Sequence, residues 1–540
     1  MAPRLFMSGL LATASYIVPA VAQLSGTVGP TTTTSSKAST KVCNIMDYGG
    51  VADASTDNGQ AISDAWTACA SGGEVLIPAG DYGLATWVTL NKGTGVSINL
   101  EGTIYRTGTD GGNMILIEDS TDIEFYSATS SGAIQGYGYE FHKDGSYGPR
   151  ILRCTKCVDF SIHDLILVDA GAFHLSLDTC SNGEVYNMII HGGNEGGLDG
   201  IDVWGTNIWI HDIEVSNKDE CVTVKDPSKN LLIEQVHCNW SGGCAMGSLG
   251  SDVDISYIEY NYIYTHDSNQ QFMIKSNGGS GTVENIAFNN FMGHSNAYTL
   301  DFDTAWSSMD TVDGDGISYS NITFSSWTGT AEDGIQRGPV KIDCPAAVPC
   351  TDITVEDFSV WTDTDDDEVL YVCQNAYGDG ACLVSGDSTG TYTTTQTVTT
   401  SGDYSYQTME NELTTGYDIS SSIPIPTMPA SFYPGKAPIS AFLSGSAESA
   451  SSTGAASAAA KAAVSASGRG SSAAPSYSIS STSSAAAAAQ ATSGSQGSWS
   501  GYGGQSWGWG KSNAEAADAQ VTPVAKSAST ACKRSAKFRN

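Results

Sequence analysis

The chain has 540 residues, which is long enough for several ordinary domains or for one very large one. Its 58 acidic residues outnumber its 24 basic residues and give a net charge of −34, which argues against nucleic acid and anionic membrane surfaces as partners. Only 15% of the residues are charged and 60 are glycine, a composition that favours strands and turns over a helical bundle.

The first residues have the pattern of a secretory leader. Arg4 supplies a positive charge, an apolar run follows, and Ala20-Val21-Ala22 forms an A-x-A cleavage site. We therefore predict a signal peptide over residues 1–22, a mature chain that begins at Gln23, and secretion to the cell exterior. No later stretch reaches about 18 consecutive apolar residues, so the sequence predicts no membrane span.

The middle of the chain repeats a short pattern, after a predicted helix at Asp64–Cys69 that would cap the first repeat. Segments such as "VDFSIHDLIL", "GEVYNMII" and "NIWIHDIEV" each place Asp or Asn between alternating apolar residues. Equivalent positions recur at intervals of about 23 to 36 residues, within the range of structural repeats. They are Ile162, Val185, Ile210, Ile233, Tyr260, Phe288, Tyr319 and Val355.

Short strands at this spacing predict an all-β fold, a single-stranded parallel β-helix in which each coil stacks on the one before. A β-propeller is the alternative, but its blades need about 40 residues or more and a Trp-Asp or kelch signature, which the sequence lacks. We expect the solenoid over residues 23–443, as a monomer. Residues 444–540 are rich in Ser, Ala and Gly and predict a disordered tail, because they bury too little apolar surface to offset the ordering entropy.

Secretion makes disulfide bonds the expected state of many of the 13 cysteines. Sequence alone does not fix connectivity, but four pairs are near neighbours: Cys43–Cys69, Cys221–Cys238, Cys344–Cys350 and Cys373–Cys382. The pairing of the others stays open, namely Cys154, Cys157, Cys180, Cys244 and Cys532. Cys154 and Cys157 form a C-x-x-C, yet no second ligand pair follows and we predict no metal there. N-glycosylation sequons occur at Asn239 and Asn321.

The stretch "NKDECVTV" places two acidic residues, Asp219 and Glu220, side by side where the flanking residues predict a strand. Burying charge in a sheet is costly unless the charge has a partner or a role. In a β-helix, residues one coil apart are about 4.8 Å apart from backbone to backbone. The intervals therefore predict that Asp199, Asp219, Glu220, Cys244 and Lys275 share one face of successive coils.

Three carboxylates on one face repel one another, and at least one pKa should rise. Glycoside hydrolysis uses such a contrast, because one acid protonates the leaving oxygen while a base activates water. An inverting enzyme holds these groups about 6.5–9.5 Å apart, a gap that we expect neighbouring coils to provide. The structural alternatives are an acidic ladder in the solenoid turns or a calcium site.

Four segments resemble, in order and spacing, the motifs of the family 28 glycoside hydrolases, which include the polygalacturonases. They are "GLDGIDVWG" (197–205), "NKDECV" (217–222), "SGGCAMGSLG" (241–250) and "MIKSN" (273–277). The resemblance covers about residues 23–442 and implies a right-handed parallel β-helix, an inverting mechanism and no cofactor.

Four positions depart from the polygalacturonase motifs, which are N-T-D, D-D, G-H-G and R-I-K. Leu198 replaces Thr, Glu220 replaces the second Asp, Cys244 replaces His and Met273 replaces Arg. These departures are similar to those of the rhamnogalacturonan hydrolase branch of the family.

The resemblance implies a role for each matching residue. Asp219 is expected to be the general acid, Asp199 and Glu220 the pair that activates water, and Lys275 a contact for a substrate carboxylate. Met273 cannot bind a carboxylate through two hydrogen bonds as Arg does, and its thioether would instead face the methyl group of rhamnose. We therefore expect endo-cleavage of galacturonosyl-(1→2)-rhamnosyl bonds in the backbone of rhamnogalacturonan I, a pectic polysaccharide.

Further candidates line the predicted cleft less specifically. His294 follows Lys275 by about one coil and could replace the lost motif histidine as a catalytic group. Tyr298 and Asp301 are candidate substrate contacts, and Cys244 is counted with them because of its motif position.

Three alternatives remain open from the sequence. A polygalacturonase or xylogalacturonan hydrolase of the same family would act on a related polymer. A pectin lyase-type enzyme would need calcium and a basic residue to remove a proton, and no Arg occurs between Gly197 and Asn277. A non-catalytic solenoid that binds cell walls would keep its effect without Asp219.

Overall fold

The computed structural model of this protein describes residues 24–32, 41–334, 338–363, 368–386, 391–399 and 406–442. The predicted signal peptide (1–22), the predicted tail (444–540) and Cys532 lie outside the described residues. Among the described residues, no helix is long and apolar enough to cross a membrane.

Strands dominate the described chain, with short helices near its start. The helices are Ile45–Tyr48 (3-10), Gly59–Cys69 (α1) and Tyr139–His142 (α2). The first nine strands are β1 Val42–Asn44, β2 Glu74–Ile77, β3 Asp81–Leu84, β4 Val88–Asn91, β5 Thr94–Leu100, β6 Thr103–Arg106, β7 Asn113–Glu118, β8 Thr121–Tyr126 and β9 Gly132–Gln135. The next nine are β10 Arg150–Thr155, β11 Val158–Val168, β12 Leu175–His191, β13 Ile201–Ser216, β14 Glu220–Val224, β15 Ser228–Asn239, β16 Gly243–Leu249, β17 Val253–His266 and β18 Phe272–Ser276. The last eight are β19 Gly281–Asn296, β20 Leu300–Asp303, β21 Ser318–Ala331, β22 Val340–Asp343, β23 Cys350–Thr362, β24 Glu368–Gln374, β25 Ala376–Asp379 and β26 Thr393–Thr399.

Most strands pair in parallel with a strand one coil before and a strand one coil after them. For example, β13 lies beside β12 on one side and beside β14 and β15 on the other. Strand β26 differs, because it runs antiparallel to β24. The parallel β-helix predicted from the repeats is therefore confirmed, with about 11 turns.

The predicted repeat positions stack directly on one another inside the solenoid. Ile162, Val185, Ile210, Ile233, Tyr260 and Phe288 pair in succession from β11 to β19. The next position in this column is Phe324, which pairs with Phe288 on one side and Val355 on the other. The prediction of Tyr319 was wrong, since Tyr319 pairs with Val283. A long connection between β20 and β21 lengthens the coil that separates Phe288 from its partner in β21. Tyr319 and Phe324 both fit the alternating apolar pattern of β21, so the sequence does not show which of them is the partner.

The recurring Asp and Asn residues of the repeats allow the chain to bend between adjacent sheets. Asp164, Asn187 and Asp212 have φ angles of 56°, 51° and 53°. This left-handed conformation is unfavourable for most residues. Gly tolerates it best, and Asp and Asn come next. The acidic side chains in these repeats are therefore structural, and they lie away from the cleft described below.

Helix α1 covers the first coil, as predicted from "DAWTAC", although it begins earlier, at Gly59. It buries Ala61, Ile62, Ala65 and Trp66. Trp66 also donates its indole N–H to the carbonyl of Asn91 at 3.1 Å. The helix thus shields the apolar column from solvent at the end of the solenoid where the ladder of strands begins.

The structure forms the four disulfide bonds suggested by proximity in the sequence: Cys43–Cys69, Cys221–Cys238, Cys344–Cys350 and Cys373–Cys382. The Cys221–Cys238 bond joins β14 to β15 and so braces the strand that begins with Glu220. Among the described residues, four cysteines are unpaired and buried: Cys154, Cys157, Cys180 and Cys244.

The segment 406–442 returns along the outside of the solenoid and covers one of its faces. It buries Asn239 completely, because that side chain accepts from the Leu413 N–H at 2.6 Å and donates to the carbonyl of His266 at 3.3 Å. Asn239 therefore cannot carry a glycan in this fold, which corrects the prediction from its sequon. Asn321 is partly exposed and donates to Asn285 at 2.7 Å, and its glycosylation stays a prediction.

Candidate active site

Three acidic side chains meet where the strands of one sheet begin. Asp199 stands two residues before β13, Asp219 immediately precedes β14, and Glu220 is the first residue of β14. The backbone segments that carry Asp199 and Glu220 lie side by side, since the Gly200 N–H donates to the Glu220 carbonyl at 2.8 Å. As a result, one carboxyl oxygen of each acidic residue lies within 4.8 Å of the other two.

All three carboxyl groups are buried, with residue exposures of 2% for Asp199, 8% for Asp219 and 4% for Glu220. Asp219 is held by backbone donors: the Glu220 N–H at 2.9 Å and the Gly197 N–H. Oδ1 of Asp199 and Oε2 of Glu220 make no hydrogen bond to any described residue. Leaving such oxygens buried and unsatisfied is costly, and both can accept a hydrogen bond from water or a sugar hydroxyl.

Lys275 supplies positive charge beside Glu220. Its neighbour Ile274 belongs to the apolar interior, and alternate side chains of a strand point to opposite faces, so Lys275 points outward. Its ammonium forms a salt bridge with Glu220 and lies 4.9 Å from the centre of the Trp306 ring. The sequence predicts Lys275 as a contact for a substrate carboxylate, whereas the structure places it on a carboxylate of the protein itself.

A second lysine, which the sequence analysis does not single out, lies on the other side of the cluster. The Lys225 ammonium is 3.6 Å from Oδ2 of Asp199 and 3.3 Å from Oδ1 of Asp202. Asp202, in β13, is also buried. The site therefore holds four buried carboxyl groups and two ammonium groups.

This arrangement separates the acidic groups by their proton affinity. Burial, and then the charge of Glu220, raises the pKa of Asp219 well above its usual value. Burial acts on Glu220 in the same direction, but the charge of Lys275, the hydrogen bond with Asp219 and the charge of Lys225 together outweigh it, and the pKa of Glu220 is lowered. Burial and the charge of Asp202 raise the pKa of Asp199 well above its usual value. Asp219 therefore holds a proton under conditions in which Glu220 is ionised.

A protonated acid beside an ionised carboxylate is the contrast that glycoside hydrolysis needs. The spacing, however, is smaller than predicted, since the oxygens lie within 4.8 Å rather than across a gap of about 6.5–9.5 Å. Asp199 and Asp219 belong to adjacent coils, and both carboxyl groups turn toward the same edge of the sheet. The separation alone therefore does not indicate an inverting outcome.

Met273 and Asp301 continue this outward-facing surface toward the C-terminal coils. Met273 pairs with Ala245 on one side and Asp301 on the other, and it is not part of the interior apolar cluster. Asp301 forms an ion pair with Lys341 at 3.1 Å. Tyr298 is half-buried in the turn just before β20, where its N–H donates to the carbonyl of Asn269. These positions agree with a cleft that crosses the strands of this sheet.

Cys244 is not a substrate contact, which corrects the prediction from its motif position. It is fully buried within the interior apolar cluster and pairs with Phe272 of the next coil. Burial raises the pKa of its thiol to about 12. The register of β16 directs this side chain inward, a direction that the motif alone does not reveal.

His294 contacts side chains of neighbouring coils and of the C-terminal segment, and its role as a catalytic group stays a prediction. It lies near the end of the long strand β19, and its ring stacks on His266 and Tyr406 at 5.0 and 3.6 Å between ring centres. Its Nδ1 shares a hydrogen bond with Thr330 at 3.1 Å. His294 therefore helps to hold the C-terminal segment against the solenoid.

Tyr147 is a further candidate that sequence reasoning missed, together with Asp202 and Lys225. It lies between α2 and β10, is 44% exposed, and donates its hydroxyl to the Gly196 carbonyl at 2.8 Å. Partial burial raises its pKa, and the charges of Glu195, Asp219 and Asp199 add to the effect. An exposed aromatic ring beside buried acids can receive a sugar. The sequence signal is a lone tyrosine in the turn-rich stretch "HKDGSYGP".

Comparison with known proteins identifies the family of this chain. The sequence profile described as glycosyl hydrolases family 28 matches residues 70–382. Rhamnogalacturonase A of Emericella nidulans is 61% identical over 79% of this chain and 85% of that protein. Rhamnogalacturonase A of Aspergillus aculeatus is 58% identical over 80% of this chain and 98% of that protein.

Among solved structures, an endo-xylogalacturonan hydrolase from Aspergillus tubingensis superposes with a TM-score of 0.55 at 26% identity. The superposition covers 64% of this chain and 99% of that one. The profile match spans more than half of the chain and includes all the cleft residues described above. The chain is therefore a member of glycosyl hydrolase family 28.

Proposed function

We propose that this protein is an endo-acting, inverting hydrolase that cleaves galacturonosyl-(1→2)-rhamnosyl bonds in the rhamnogalacturonan I backbone of pectin. The names of the two relatives at 61% and 58% identity support the substrate. The observation that carries the chemistry is the buried cluster of Asp199, Asp219 and Glu220, in which neighbouring carboxyl groups have opposite shifts in pKa.

In the proposed reaction, protonated Asp219 gives its proton to the glycosidic oxygen as the bond to the anomeric carbon breaks. Asp199 and Glu220 orient a water, and one of them takes its proton as the water oxygen bonds to the anomeric carbon. The inverting outcome is proposed from family membership, because the separation of the carboxyl oxygens does not itself require it. Lys275 keeps Glu220 ionised during this step.

The surface beside this cluster supports rhamnose on the leaving side. Met273 presents a thioether at 6% exposure where the polygalacturonase motif has Arg. A methyl group on the sugar can pack there, whereas a galacturonate carboxylate would lose its solvation without gaining a charged partner.

Secretion is proposed on independent grounds. The pattern of residues 1–22 is that of a leader peptide, and disulfide bonds persist mainly in oxidising compartments. A polymeric cell-wall substrate is also met outside the producing cell.

Product analysis tests the proposed function. The protein is incubated separately with de-acetylated rhamnogalacturonan I, homogalacturonan and xylogalacturonan, and NMR follows the anomers as they first appear. We expect cleavage of the first polymer, with products whose new reducing ends show inverted configuration. Faster cleavage of xylogalacturonan would favour the activity of the structural relative instead. Products with an ultraviolet-absorbing double bond would indicate a lyase.

The role of Met273 is tested by changing its charge. We expect Met273→Arg to pair with Asp301, so the informative variant combines it with Asp301→Asn. The ratio of kcat/KM on homogalacturonan to that on rhamnogalacturonan should then rise by about tenfold to a hundredfold, since a charged hydrogen bond contributes about 1.5–3 kcal/mol. Met273→Leu is the control and should leave the ratio unchanged. If the double variant also leaves it unchanged, Met273 only packs.

A further inference from the structure

Lys225 contacts Asp199, one of the two proposed bases, and the proposed function gives this lysine no role. It directly follows β14, and its N–H donates to the Val203 carbonyl at 2.8 Å, which fixes its backbone against β13. Its ammonium reaches Asp202 at 3.3 Å and Asp199 at 3.6 Å. The lysine side chain is 24% exposed, whereas the two carboxyl groups are almost completely buried.

The carboxyl groups of the site outnumber its ammonium groups. The charged groups of the site are Asp199, Asp202, Asp219, Glu220 and Lys275, and Lys275 is committed to Glu220. Asp219 is bound by backbone N–H groups rather than by a cation. Asp199 and Asp202 must therefore share the remaining cation, and two close carboxyl groups with one cation hold one proton between them.

We propose that Lys225 is a positioning residue for the hydrolytic step: its ammonium favours the ionised form of the Asp199–Asp202 pair, and so opposes the retention of a proton on Asp199, which would prevent Asp199 from accepting the proton of the attacking water. This inference rests on the proposed function. In the step itself, the water oxygen bonds to the anomeric carbon, its proton moves to Asp199, and Asp219 protonates the departing oxygen. Lys225 forms and breaks no bond.

The pH dependence of kcat/KM distinguishes this role from simple packing. Loss of the cation disfavours the ionised pair, so the base becomes ionised only at higher pH. The acidic limb of the profile is the range in which activity falls as the pH is lowered. We expect Lys225→Met to move this limb to higher pH by about one pH unit or more, with the largest loss of activity at low pH. Asp202→Asn removes a competing negative charge and should shift the same limb downward. Lys225→Arg should keep the wild-type limb.

Two further variants complete the test. Lys229→Met is the matched control, since Lys229 is exposed, lies four residues further along, and changes the net charge equally. It should leave the acidic limb in place. The double variant Asp202→Asn/Lys225→Met removes one charge of each sign, and its limb should lie between those of the single variants.

The outcomes separate this inference from the proposed function. If the wild-type protein does not cleave rhamnogalacturonan, the proposed function fails first. If it does, and Lys225→Met leaves the acidic limb where it was, or Lys229→Met shifts it as much, Lys225 has no such role. Should Lys225→Met fail to fold, the downward shift in Asp202→Asn and the wild-type limb of Lys225→Arg decide, and their absence overturns the inference.

Discussion

Asp219→Asn is expected to lower kcat on rhamnogalacturonan by about 10³-fold, because a positioned general acid contributes about 10²–10⁴-fold. An amide cannot give a proton to the departing oxygen. The change leaves the shape of the side chain intact at a position that is 8% exposed, so the cleft should still bind the polymer. Initial rates and isothermal titration with rhamnogalacturonan fragments measure the two properties separately.

The pH profile of this variant carries an independent signature. The raised pKa of Asp219 implies that wild-type activity falls as pH rises through that pKa, because the acid loses its proton. Residual activity of Asp219→Asn should lack this basic limb and keep the acidic limb. Asp418→Asn makes the same change at an exposed position and should match the wild type. Near-normal turnover in Asp219→Asn would refute its role as the acid.

The amide also has a cost in stability, which must be separated from the loss of activity. Both carboxyl oxygens of Asp219 accept backbone N–H groups, from Glu220 and from Gly197. An asparagine offers only one oxygen, so one of these N–H groups loses its acceptor, at a cost of about 1–3 kcal/mol. The free energy of unfolding should fall by this amount and leave the variant folded at the assay temperature.

The fold and the acidic cluster could be predicted because both follow from a one-dimensional repeat. Once the coil length is known, residues one coil apart must be neighbours, which brings Asp199 beside Asp219 and Glu220. The error at Tyr319 arises in the same way, since a longer connection changes the coil length while both Tyr319 and Phe324 satisfy the apolar pattern.

Side-chain direction could not be predicted in the same way. The side chain of Cys244 turns into the interior and that of Met273 turns out of it, although both lie in equally apolar stretches. A shift of one residue in register exchanges the two faces of a strand, and β16 carries such an irregularity near Gly247. The spacing of motifs therefore predicts which coil a residue occupies but not which face.

Contacts between residues that are distant in sequence explain why the sequence did not predict the surroundings of Lys225, Tyr147 and His294. Lys225 follows the conspicuous acidic pair by only a few residues, yet its partners are Asp199 and Asp202 in the preceding coil. Tyr147 reaches the site from a loop outside the regular repeat. His294 lies in the expected coil, but the C-terminal segment, distant in sequence, supplies Tyr406 against its ring.

Lys275→Met is expected to reduce both stability and activity, because it leaves Glu220 buried without its cation. Lys275 is 2% exposed and Glu220 is 4% exposed, so solvent screens the pair little. Removal of one partner of a buried ion pair costs about 3–5 kcal/mol in the free energy of unfolding. Denaturant titration measures this loss, and initial rates should show a parallel fall in kcat, since Glu220 then loses the cation that contributes most to keeping it ionised.

The double variant Lys275→Met/Glu220→Gln separates the two effects. It removes both charges together, so most of the lost stability should return. Activity should not return, because a neutral amide cannot serve as a base. Recovery of activity in the double variant would exclude Glu220 from catalysis, whereas an unchanged stability in Lys275→Met would show that the ion pair does not contribute to the fold.

The pH dependence of the free energy of unfolding tests whether Lys275 stabilises the ionised form of Glu220. In the wild-type protein the pKa of Glu220 is lowered from 4.5, so its contribution to stability is present above that pH and is lost as pH falls below it. In Lys275→Met, the largest cause that lowers this pKa is lost while burial remains, so the pKa of Glu220 in the folded variant is higher than in the folded wild-type protein. The stability difference between the two proteins should therefore shrink as the pH is lowered, while Lys229→Met should show no such convergence with the wild type.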